Sequence, residues 1–165
     1  MTGLADVVTR LPADWTISLQ LPGVQMVATE ALSGEPDPEA VLLQKHDVPE
    51  MLDLVRRTEP GPFGVRTIEM GRYLGIRRDG RLVAMAGERL RPPGFTEISA
   101  VCTAAEVRGQ GLAGRLVLAV AHGIRERGDI PFLHAAAANT SAIRLYEHLG
   151  FTLRRRPDFF FLAHG

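Results

Sequence analysis

Cysteine is almost missing from this chain. Cys102 stands alone, so no disulfide can form within the chain, and no paired thiols suggest a zinc site. Lysine is equally scarce: Lys45 is the only one, and the remaining basic residues are arginines, a pattern we read as coding bias. No excess of either charge exists, with Lys+Arg 19 against Asp+Glu 19. The basic surplus of a nucleic-acid binder is therefore lacking, and no nucleic-acid partner is expected. No apolar run approaches membrane-spanning length. The N-terminus scatters Asp6, Arg10 and Asp14 among apolar residues, which is not the basic-then-apolar order of a signal segment. The expectation is a soluble cytoplasmic protein with no membrane contact. His46, His122, His134, His148 and His164 show no metal-ligand spacing, so no metal is expected and core or surface roles are the default.

What is present suits an ordinary globular domain. The chain has 165 residues, 45% hydrophobic and 23% charged, enough for one core without staples. Residues 1–38 read as an N-terminal extension. In it, Trp15 to Leu21 and Val24 to Glu30 flank Pro22-Gly23 as a hairpin, and Ser33 to Pro38 forms a connector. Residues 39–165 read as the main domain. Ala40 to Gln44 predicts a short strand, and Val48 to Arg57 a helix with Asp47 near its N-cap. Thr58 to Gly64 is a loop. Arg72 to Arg78 and Arg81 to Leu90 flank Asp79-Gly80, a strong hairpin signal, and Phe95 to Thr103 adds a third strand to an antiparallel meander.

After the meander, Leu112, Leu116, Val120 and Ile124 recur every four residues and predict an amphipathic helix. Ile130 to Ala135 is a strand. Asn139 caps a second helix carrying Ala142, Ile143, Tyr146 and Leu149, which ends at Gly150. Thr152 to Arg155 and Phe159 to Leu162 are the last strands. The order implies an α/β (α+β) fold: a mixed sheet with helices on its faces.

The informative segment is Arg108-Gly109-Gln110-Gly111-Leu112-Ala113-Gly114, between a strand and a helix. Glycines there let the backbone approach a phosphate, and the helix start adds unpaired N–H groups, so an anionic ligand is expected. The residues satisfy the dinucleotide fingerprint G-x-G-x-x-G literally. That reading is disfavoured: Ala104 to Arg108 intervenes after the strand, no carboxylate ends the next strand near His134-Ala135, and the turn follows a meander.

Arg108, Gly111 and Ala113 also fill R/Q-x-x-G-x-G/A, and Asn139, Ala142-Ile143, Tyr146 and Gly150-Phe151 follow in order. In both landmarks the chain resembles the GNAT superfamily of N-acetyltransferases, over about Ala40 to Leu162. One departure is Ala104-Ala105, where many members carry proline.

The resemblance implies a mostly antiparallel central sheet flanked by helices, and transfer of an acetyl group from acetyl-CoA to an amine. It assigns the diphosphate to Arg108, Gly109, Gln110, Gly111, Leu112, Ala113 and Gly114. Main-chain groups of Val101, Cys102 and Thr103 would hold the pantetheine arm, with Asn139 near it. Tyr146 would be the general acid: free thiols titrate near ~8.5 and tyrosine near ~10, so it can protonate the departing thiolate. Glu97 is a candidate base or a solvent-facing partner of a neighbouring arginine. Cys102 as nucleophile has no pKa-lowering partner nearby in sequence. Arg154-Arg155-Arg156 reads as a solvated strand end or an anion contact, and Phe159 to Phe161 as core, edge or dimer packing. Phe63 and Arg66 could line an acceptor pocket over Val48 to Thr67, but the acceptor is not legible. A homodimer would fit the family. A non-catalytic acyl-CoA sensor and a dinucleotide-binding oxidoreductase remain as alternatives.

Overall fold

The computed structural model describes residues 11–164; Asp6 and Arg10 lie outside it. Its elements follow the order expected from the sequence, with one large rearrangement at the N-terminus. Strand β1 runs from Trp15 to Ala28, β2 from Val41 to Leu43, and helix α1 from Val48 to Thr58. The meander is β3 (Tyr73–Arg78), β4 (Arg81–Glu88) and β5 (Phe95–Thr103). Helix α2 (Leu112–Glu126), β6 (Ile130–Ala136), α3 (Thr140–Leu149), β7 (Phe151–Arg155) and β8 (Asp158–His164) complete the chain.

Local chemistry accounts for most of these boundaries. Asp79 and Gly80 both take positive φ, 50° and 78°, as a tight hairpin between β3 and β4 requires. Asn139 Oδ1 accepts the Ala142 N–H at 3.2 Å and starts α3; Gly150, at φ 105°, stops it. Asp47 stands at the N-cap of α1, but its carboxylate turns away, accepting from the Gln44 N–H at 2.8 Å and pairing with Arg77 at 2.7 Å.

The sheet order is β2-β3-β4-β5-β6-β1-β7, with β8 pairing β1. Among the described residues β5–β6 is the parallel pair and the others are antiparallel. The core is formed by the faces of α1 and α2 against β3, β4 and β5, with Met51, Leu54, Ile76, Met85, Leu116 and Ile124 fully buried.

The expected hairpin at Pro22-Gly23 does not form. Trp15–Ala28 is one strand, and Gly23 lacks the positive φ that a two-residue hairpin turn needs. Gly23 serves close packing instead: a Cβ there would stand 2.5 Å from the Phe159 ring. One edge of β1 pairs with β7 and then β8; the other pairs with β6 over Gly23 to Val27. A strand on the N-terminal side of the connector is thus inserted between β6 and the C-terminal strands β7 and β8.

Candidate active site

The parallel ladder between β5 and β6 begins at Phe95–Ile130 and stops at Ile98–Leu133. Beyond it β5 follows β4 while β6 follows β1, so the two strands part. The divergence has a local cause. Met85 pairs with Cys102 and Gly87 with Ser99, leaving Ala86 opposite two residues of β5. Ala100 takes up the extra residue at φ 54°, a region unfavourable for a side chain with Cβ. From Ser99 to Thr103, the β5 edge facing β6 has no strand partner among the described residues. Val101 and Thr103 lie on this unpaired stretch, with Cys102 between them paired to Met85 of β4.

At the open end of the fork lies the glycine turn. Gly109 and Gly111 have φ 80° and 73°, and a Cβ built on either meets nothing within 4 Å, so the space above the turn is clear. Gly111 is the N-cap of α2 and offers no side-chain acceptor; the first intrahelical bond runs from Arg115 N–H to Gly111 O at 3.1 Å. The N–H groups of Leu112, Ala113 and Gly114 therefore have no helical acceptor, at the positive end of the helix dipole. Leu112 is itself buried and can contribute only main chain. Arg108 and Gln110 are exposed beside this end of the fork, and Arg108 Nε approaches Thr103 O at 3.5 Å. Thr103 Oγ1 is buried without a hydrogen-bond partner.

Tyr146 is buried on α3, edge-on to Phe151 with ring centroids 6.1 Å apart. Burial pushes its hydroxyl up to about 12, and no described residue hydrogen-bonds it. Asn139, at the start of the same helix, spends its carbonyl oxygen on capping. Cys102 is also buried, which pushes its thiol up to about 11 and leaves it poorly suited to nucleophilic attack.

Glu97 is neither solvent-facing nor free. Its side chain is 1% exposed, and Arg89 grips both oxygens, Nε to Oε2 at 2.9 Å and Nη2 to Oε1 at 2.7 Å. His134 Nδ1 stands 2.7 Å from Oε1. Burial pushes this carboxyl up, but hydrogen bonds from His134 and Arg89 outweigh it and hold the group below the usual carboxylate range. The network continues outward: Gln25 Nε2 lies 3.0 Å from His134 Nε2, and Arg154 donates to Gln25 Oε1 at 2.6 Å. Arg154, Arg155 and Arg156 are exposed at the end of β7, the solvated strand end that the sequence suggested, and from there Arg154 reaches Gln25. Sequence reasoning missed His134, Arg89 and Gln25, since only the strand register brings them together. Phe63 packs edge-on against Tyr73 at 5.7 Å, while Arg66 is exposed and paired with Glu69.

The family model described as FR47-like protein matches residues 73–159, more than half of the chain and the whole of the fork, turn and Tyr146 helix. The chain belongs to the FR47-like family of the GNAT superfamily. A GNAT-family protein from Novosphingobium aromaticivorans is 45% identical to this FR47-like chain and superposes with a TM-score of 0.87. The match covers 93% of this chain and 69% of the other. A mycothiol acetyltransferase from Thermomonospora curvata is 38% identical over 76 residues, 46% of this chain; the match spans only 26% of that protein. The ribosomal-protein-S18-alanine N-acetyltransferase of Escherichia coli shares the fold, with a TM-score of 0.63 at 20% identity over 76% of this chain and 92% of its own. These likenesses bear out the mixed, mostly antiparallel GNAT sheet flanked by helices. Among the described residues no group of three His, Cys, Asp or Glu could hold a metal, and no helix is long and apolar enough to cross a membrane.

Proposed function

We propose that this FR47-like chain is an acetyl-CoA-dependent N-acetyltransferase, a cytoplasmic enzyme with an amine as acceptor. The observation that carries this reading is the fork between β5 and β6 opening onto the unpaired N–H groups at the start of α2. The residues present fit acetyl-CoA. Thr103 Oγ1 is a buried hydroxyl in want of a partner, and Gly109 and Gly111 keep clear the space a diphosphate would occupy. Acetyl-CoA supplies the acetyl thioester.

Each residue then has a task. The N–H groups of Leu112, Ala113 and Gly114, with Gly109, Gln110, Gly111 and Arg108, bind the diphosphate. Main-chain groups of Val101, Cys102 and Thr103 align the pantetheine arm as a further strand would, and Asn139 borders it. Tyr146 delivers a proton to the sulfur as the C–S bond breaks; its high pKa keeps it protonated until then. Calorimetric titration with acetyl-CoA, with NADH as control, tests the reading. Micromolar binding of acetyl-CoA alone supports it, with added stability of about 2.7 kcal/mol at a hundredfold excess over the dissociation constant. No acetyl-CoA binding refutes it.

A further inference from the structure

Acetylation of an amine that is protonated at neutral pH needs a group to take up its proton before the nitrogen can attack. Within the reading of acetyl transfer above, the carboxylate singled out from the sequence is poorly placed for this. Glu97 is 1% exposed and both its oxygens are occupied by Arg89. The group in contact with it has the access that Glu97 lacks. His134 follows Leu133, the last β6 residue to pair with β5, so it is the first residue of β6 beyond the point where the strands part. Its side chain retains 18% exposure.

The hydrogen bonds around His134 select one form of the ring. Arg154 can only donate, so the Gln25 oxygen must face it and the Gln25 NH2 must face His134. His134 Nε2 then accepts, which places the ring proton on Nδ1, directed at the Glu97 carboxylate. The result is a neutral imidazole whose lone pair is turned away from Glu97 and satisfied by an N–H donor that a substrate N–H can replace.

The face carrying this pair is opposite α2. Thr96 Oγ1 bonds Asp129, in the turn after α2, at 2.7 Å, and side chains alternate along β5, so Glu97 points the other way. The polar and charged groups facing His134 are Glu97 from β5, backed by Arg89, and Gln25 from β1, backed by Arg154 of β7. Phe132 and Phe159 stand edge-on to the ring at 5.7 and 5.8 Å. Tyr73, from β3, lies within electrostatic reach of Glu97 and Arg89, and its hydroxyl is buried without a partner.

We propose that His134 is the proton acceptor for the amine and that Glu97 is a positioning residue acting through it. The amine N–H replaces Gln25 at Nε2, and one proton passes from the ammonium to that nitrogen, giving an imidazolium paired with Glu97. The neutral amine forms the C–N bond as the C–S bond breaks, and Tyr146 protonates the sulfur. The second proton lost by the nitrogen restores Tyr146 through solvent, and His134 releases its own to solvent.

Two amines of similar shape separate this role from a structural one. Benzylamine is protonated at neutral pH and needs a base, whereas aniline is already neutral. In His134→Gln the ratio of benzylamine to aniline turnover should fall about hundredfold, with acetyl-CoA affinity held within threefold. Glu97→Gln should move the acidic limb of the benzylamine pH–rate profile to lower pH, since loss of the anion makes the imidazole harder to protonate. Nitrogen NMR of the wild-type imidazole, which needs no turnover, should show Nδ1–H with Nε2 unprotonated at mildly alkaline pH. An Nε2–H tautomer overturns the proposal, as does a His134→Gln variant that loses both activities equally or neither. Failure of the wild-type chain to bind acetyl-CoA would instead defeat the acetyl-transfer reading itself.

Discussion

Thr29 closes on Gly150 twice, its backbone N–H and its hydroxyl both donating to the Gly150 carbonyl, at 3.0 and 2.7 Å. The end of β1 is thereby fastened to the end of α3. A Cβ on Gly150 would stand 2.7 Å from the Leu32 nitrogen, and φ there is 105°. Gly150→Ala should therefore destabilise the fold, by about 1–3 kcal/mol from the backbone conformation and more from the collision. Urea unfolding monitored by circular dichroism measures it.

Tyr146→Phe should lower turnover about hundredfold while leaving acetyl-CoA affinity within a few-fold. Because burial raises the hydroxyl to about 12, wild-type turnover should show no alkaline loss from this group anywhere in the mildly basic range. Steady-state kinetics across pH, beside calorimetry on the variant, tests both statements.

The Thr103 hydroxyl costs the fold something, since it is buried without a partner. Thr103→Val should leave the melting temperature unchanged or raise it, and should weaken acetyl-CoA binding several-fold. Thermal melts with and without acetyl-CoA read the two effects on one sample.

Glu97→Ala should cost about 3–5 kcal/mol by stranding Arg89 and His134. In the wild type the sign of the pH dependence follows from the lowered carboxyl pKa. Its contribution is fully present above the ordinary glutamate value of about 4.3 and is lost as pH falls through the lower folded value. Urea midpoints at neutral pH and in acid should separate wild type from variant at the first and bring them together at the second.

Cys102 should resist alkylation at mildly alkaline pH in the folded protein, because its thiol is buried and raised to about 11. Rapid labelling by iodoacetamide, read by mass spectrometry, would contradict that.

The elements from β2 onward were legible because each carried a local signal. Asp79-Gly80 marked a turn, Asn139 and Gly150 bracketed a helix, and leucine spacing showed which face of α2 is buried. Pro22-Gly23 gave a false one: Gly23 is small to admit Phe159, a residue more than a hundred positions away that local patterning cannot reveal. The same holds in the site. Glu97 stands out in the sequence by its place on a strand, but its burial and its partner His134 depend on the register between β5 and β6.

The insertion of β1 bears on how the chain reaches its native state. Its partners β6, β7 and β8 begin about a hundred residues after it, beyond β5 and α2, so β1 must wait for that stretch to be made before its edges are filled. Pairings this distant in sequence close late and slowly. Until they do, β6 lacks the neighbour that draws it away from β5, and the fork cannot be held open. Competence to bind should consequently appear only at the end of folding, after the meander and α2 have already packed.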